Sequence, residues 1–168
     1  MGSFVFTAAV GTLLHFLFDW TGNNPAIGLF SAVNESVWEH LKLLFYPMLT
    51  AAVIQYFAWG NAIGCFWWIK LLGMVLGMVI IPGLYYTYTG ILGINADWFN
   101  IAIFFIAAAA VYWAETKLLQ GNLTCPANAK WAMALICLLS FLFTVFTFIP
   151  PHIPLFQDPT TGTYGYSV

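Results

Sequence analysis

Five long apolar stretches, separated by short turn-rich segments, dominate this sequence and leave few architectures open to it. They run over residues 4–20, 37–59, 62–91, 98–119 and 131–149. A helix crossing the hydrocarbon of a bilayer needs about 20 apolar residues, and each stretch approaches or exceeds that length. The expected fold is therefore an all-α integral membrane protein, one domain over residues 1–168, built as a bundle of about five transmembrane helices. The third stretch contains Pro82-Gly83 and is long enough to kink there, so four spans with a re-entrant segment, or six, are the alternatives. Continuous apolar runs without alternation disfavour a barrel.

Composition supports this. With 62% hydrophobic and 6% charged residues, the chain is far more apolar than a soluble core of this size requires. Four isolated lysines and no arginine leave no basic stripe for a phosphate backbone, which excludes nucleic acid as a partner. The expected partner is the lipid bilayer, with a lipid or a small amphipathic molecule as ligand; the oligomeric state is not legible. The first stretch lacks a positively charged leader and contains His15 and Asp19, so it reads as a retained span. Cys65, Cys125 and Cys137 form no CxxC pair and no even framework, and small buried residues is the expectation for all three.

Lys70, Lys117 and Lys130 fall at one end of the spans and Lys42 at the other. The positive-inside rule then puts the N-terminus inside and the C-terminus outside. Gly73 and Gly77 form a GxxxG, expected as a packing surface within the bundle, and Trp20, Trp38, Trp98 and Trp131 as interfacial anchors. Glu115, Lys117 and Lys130 are expected to form a surface ion pair across the loop between the last two spans.

All three histidines and five of the six acids lie at the other end, the predicted outer one. Ionisable groups gathered at one face of so apolar a bundle point to a polar site there. His15 and Asp19 share a face of the first span, with His15 about 7 Å below the interface. Asp19 is placed to fix the tautomer of His15. Ser36 and Glu39 fit the S-x-x-E capping box, which leaves Glu35, His40 and Lys42 without an explanation of that kind. Prolines end the last span, and the Thr/Gly-rich tail is expected to cap the outer face and bring His152 and Asp158 to the same pocket.

Three imidazoles with nearby carboxylates suit a divalent metal such as zinc, with His15, His40 and His152 as ligands. Asp19 or Glu39 would act as base toward a metal-bound water, and Glu35, Ser36, Lys42 and Asp158 would line the pocket. A metal-dependent hydrolase of a lipid-like substrate is the enzymatic reading. The alternatives are a small-solute transporter or binding subunit, and an accessory or assembly protein whose polar groups only lock loops and tail together.

The segments Asn34-Glu35-Ser36-Val37-Trp38-Glu39-His40-Leu41-Lys42 and Asp158-Pro159-Thr160-Thr161-Gly162-Thr163-Tyr164-Gly165 resemble a family of short bacterial membrane proteins catalogued as a domain of unknown function. The resemblance implies a bacterial inner-membrane location and says nothing about activity. Ser36-Val37-Trp38-Glu39-His40 is also faintly similar to the S-x-x-x-H motif of the alkaline ceramidase and adiponectin receptor hydrolases. Those proteins have seven spans and a late H-x-x-x-H pair, whereas this chain offers only His152.

Overall fold

The computed structural model describes residues 2–121, 124–125 and 127–166. Five helices are long and apolar enough to cross a membrane: α1 Gly2–Trp20, α3 Val37–Ala58, α4 Phe66–Leu92, α5 Asp97–Gln120 and α6 Ala129–Phe148. A single turn, α2 Pro25–Gly28, follows α1, and 3-10 turns at Gly60–Ala62 and Pro154–Phe156 complete the helical structure. The protein is thus a polytopic membrane protein. We call the end where α1 finishes and α3 begins the histidine end, and the opposite one the lysine end.

Neither proline breaks its span. Helix α4 continues through Pro82, so the third stretch does not divide, and α3 continues through Pro47. Proline lacks the N–H that would bond the carbonyl four residues earlier, which for Pro47 is Leu43. Gly11 of α1 packs against that carbonyl: a Cβ on Gly11 would lie 2.5 Å from the Leu43 oxygen and 2.8 Å from Phe104 of α5. The glycine therefore sets how closely α1 crosses α3.

On α4 the GxxxG works within the bundle, as expected of it. Added methyls would strike Glu115 at Gly73, and Leu44 and Val111 at Gly77. The core seams together α3, α4, α5 and α6 through residues such as Phe45, Met74, Val111 and Phe143.

Several expectations need correction. Cys65 and Cys125 are joined by a disulfide with a Cα–Cα distance of 5.4 Å, while Cys137 is exposed. Glu115 is buried in an ion pair with Lys70 (2.6 Å) and forms no surface pair with Lys117 or Lys130. Lys42 is buried against Glu39 at 2.5 Å, so neither it nor Lys70 stands at a membrane surface. Trp38 is no interfacial anchor; it packs on Phe143, Phe146 and Phe156 at ring distances of 4.7–5.5 Å. Trp20, Trp98 and Trp131 are exposed at span ends.

Candidate metal-binding site at the histidine end

The crossing at Gly11 and Leu43 positions the site. His15 lies one turn beyond Gly11 on α1, and His40 lies one turn before Leu43 on α3. Their rings meet with centroids 5.3 Å apart. The turn carrying His15 is also braced from the loop: the buried Ser31 hydroxyl accepts from the Phe18 N–H (3.2 Å) and donates to the Leu14 carbonyl.

Helix α3 begins at Val37, with Ser36 as N-cap accepting from the Glu39 N–H at 3.3 Å. Only this half of the capping box forms. The Ser36 N–H goes instead to Asn34 Oδ1 (2.9 Å), and the Glu39 carboxylate accepts from the Val33 N–H (3.0 Å). Because the helix starts after it, Glu35 is free of the helical register and turns toward His40, with Oε2 3.4 Å from His40 Nε2. One ligand atom each from His15, Glu35 and His40 lies within 4.8 Å of the others.

Tautomer matters here. His40 Nδ1 is 2.9 Å from the Ser36 carbonyl, an acceptor, so Nδ1 carries the proton and donates. His40 Nε2 then faces the Glu35 carboxylate, a pairing that either a proton on Nε2 or a metal ion between the two atoms would satisfy. His15 Nδ1 is buried and has no hydrogen-bond partner among the described residues, Asp19 included. Asp19 itself is exposed one turn further along α1.

The other expected site residues serve different ends. Glu39 and Lys42 form a buried network with Thr147 of α6. Lys42 Nζ donates to the Gly28 carbonyl (2.7 Å) and to Thr147 Oγ1 (3.0 Å), and Thr147 Oγ1 lies 3.0 Å from Glu39 Oε1 as donor. Every charged atom is met, so this network locks α2 and α6 onto α3. Sequence reasoning missed Thr147, whose only signal was a hydroxyl near the end of an apolar span.

The tail folds back over the histidine end, but His152 does not join the other imidazoles. It is exposed and packs its ring on Tyr164 at 4.7 Å. Asn34 Nδ2 donates to the Gly165 carbonyl (3.0 Å), the Tyr166 N–H to the Thr147 carbonyl (2.7 Å), and Tyr166 Oη to the Asn23 carbonyl (3.2 Å). Gly165 has a positive φ of 60°, and a Cβ there would stand 2.6 Å from the Thr147 oxygen.

Asp158 organises this cap. Its Oδ1 accepts from the Thr160 N–H (2.7 Å), the Thr160 hydroxyl (2.6 Å) and the Thr161 N–H (3.2 Å), and its Oδ2 from the Glu35 N–H (3.3 Å). Burial pushes its carboxyl up, but the hydrogen bonds from Thr160, Thr161 and Glu35 outweigh this and hold it below the usual carboxylate range. A carboxyl so lowered in the folded state stabilises the cap fully above its unfolded pKa of about 4, and that contribution is lost as pH falls through the lower folded value. Limited proteolysis between pH 6 and pH 3 should show the tail becoming cleavable only in the acid range. In Asp158→Asn it should be cleavable already at neutral pH.

The model of a family described as "Family of unknown function (DUF6512)" matches residues 3–166, nearly the whole chain. The chain belongs to that family. No curated protein and no solved structure matches it. What this member of DUF6512 does must therefore be argued from its own residues.

Proposed function

We propose that this DUF6512 protein binds one divalent transition-metal ion through His15, Glu35 and His40, at the outer face of a bacterial inner membrane. The observation that carries the reading is the convergence of one ligand atom each from His15, Glu35 and His40 within 4.8 Å, with His15 Nδ1 buried and unpartnered among the described residues and His40 Nδ1 committed to the Ser36 carbonyl. A backbone carbonyl that fixes the tautomer of a ligand histidine is a recurrent feature of metal sites. Two histidines and a carboxylate suit zinc, iron or manganese and leave room for water. Orientation rests on Lys117 and Lys130, the exposed lysines, both at the lysine end, which favours an inside N-terminus and an outside C-terminus.

The chemistry that fits is hydrolysis of a lipid-like or other amphipathic molecule presenting a polar group at the bilayer surface. Asp19, exposed and one turn from His15, is the candidate base. Glu39 is committed to Lys42, Val33 and Thr147 and serves the scaffold. Elemental analysis of purified protein should find about one equivalent of a transition metal in the wild type and a loss of at least about tenfold in His40→Ala. Absence of stoichiometric metal from the wild type would sink the reading, leaving a proton to fill the space between His40 and Glu35.

A further inference from the structure

At the opposite end from the histidines, Cys65 directly precedes α4 as its N-cap, and Cys125 lies in the connection between α5 and α6. Their disulfide closes 60 residues of sequence and ties the α3–α4 turn to the α5–α6 connection. The same end carries the two exposed lysines, Lys117 and Lys130, whereas the exposed acids Asp19, Glu35 and Asp97 lie at the other. Such a charge distribution turns the disulfide toward the cytoplasm. Disulfides exposed to cytosolic thiols do not persist as permanent staples; those found there are mostly transient, catalytic or redox-sensing.

We infer that Cys65 and Cys125 are a reversible thiol–disulfide exchange site, opened by a low-molecular-weight cytosolic thiol and closed by oxidants. This rests on the orientation proposed above. The two sulfurs are not equivalent. Cys125 is half-buried and Cys65 is 9% exposed, so an incoming thiolate reaches Cys125 more readily. Attack there forms a mixed disulfide on Cys125, breaks the Cys65–Cys125 bond and releases Cys65 as a thiolate. That thiolate sits at the N-terminus of a 27-residue helix, where the dipole stabilises negative charge and makes Cys65 the better leaving group. A second thiol then displaces the first from Cys125, so two small thiols are oxidised to their disulfide and both cysteines are reduced to thiols.

Opening the bond does not free the connection altogether. Trp68 Nε1 of α4 donates to the Ala127 carbonyl at 2.9 Å, an independent tie two residues after Cys125. Reduction therefore loosens the connection while the bundle stays intact. In the α3–α4 turn, Gly60 is buried close against Phe66, where an added Cβ would stand 2.6 Å from the ring.

The test uses the full-length protein in its native membrane, carrying Cys137→Ser so that only this pair is counted. Cells are acid-quenched before and after diamide treatment, and free thiols are tagged with maleimide-polyethylene glycol and counted by gel shift. Two tags per chain in untreated cells, none after diamide, and recovery of both on adding dithiothreitol is the expected result. Cys125→Ser in the same background should carry one tag in every sample. A pair that is already oxidised in untreated cells, or one that keeps both thiols under diamide, overturns the inference. A C-terminal alkaline phosphatase fusion separates the two ways of failing. An inactive fusion puts the cysteines outside and faults the orientation, and the exchange site with it. An active fusion beside a permanently oxidised pair faults the exchange site alone.

Discussion

Lys42→Met is expected to lower the unfolding free energy of the protein by about 3–5 kcal/mol, the usual cost of removing one partner from a buried ion pair. The substitution keeps the length and apolar stem of the side chain, so packing changes little. What it leaves is the Glu39 carboxylate, 1% exposed, with only the Val33 N–H and the Thr147 hydroxyl to meet its charge. The Gly28 carbonyl also loses its 2.7 Å donor, which detaches α2 from α3. Glu39→Gln should be damaging in the same way, since it strands the Lys42 ammonium. The double variant, Glu39→Gln with Lys42→Met, removes both charges and should recover a large part of the loss. Unfolding in detergent, followed by circular dichroism against denaturant, measures all three. If the double variant is as unstable as the sum of the singles, the two charges do not act as a pair.

How much of this could be read from the sequence differs by scale. Five spans follow from the lengths of the apolar runs, and α4 departs from its expected start at residue 62 only because the turn Gly60–Ala62 intervenes. The folded-back tail was legible from Pro150, Pro151 and the Thr/Gly run. Which side chains meet was far less so. Helices apolar all round do not reveal which face is inward, because lipid and protein interior are equally apolar. Glu115 therefore read as a surface group, although rotation of α5 brings it to Lys70 across the space left by Gly73. Cys65 and Cys125 carry no local motif, and nothing in their spacing links residues 60 apart.

The histidine cluster shows the same limit. His15 and His40 were each legible as candidates, and their convergence comes from a glycine and a proline on different helices. Glu35 turned out to be their neighbour because α3 begins at Val37, after the N-cap Ser36, and leaves Glu35 outside the helix; the capping pattern contained that information in its position. His152 was drawn in by its place on the tail, yet its ring follows Tyr164. One polar end thus contains two assemblies with different character. The Glu39–Lys42–Thr147 network is buried and saturated, while the cluster of His15, Glu35 and His40 is less buried and leaves His15 Nδ1 without a hydrogen-bond partner among the described residues. Saturation suits scaffolding, whereas an unpartnered ring nitrogen set beside further ligand atoms is what the proposed metal site would use.

Gly11→Leu separates the crossing from the ligand side chains, since the atoms nearest to a Cβ at residue 11 belong to Leu43 and Phe104. The added side chain would begin 2.5 Å from the Leu43 carbonyl oxygen and 2.8 Å from the Phe104 ring. Phe104 can rotate away, but the α3 backbone cannot, so α1 must move outward. Overpacking of this kind typically costs about 1–3 kcal/mol, and the chain should still insert and fold. The displacement falls on His15, one turn along the same helix, and carries it away from His40 and Glu35. Metal affinity should therefore drop by about 10–100-fold, as when a group that orients a ligand is lost, while the tail remains protected from protease. Titration of metal-free protein with zinc, read by competition with a chromophoric chelator, measures the first effect. Unchanged affinity in a folded Gly11→Leu protein would show that His15 is not a ligand, whatever His40 and Glu35 do.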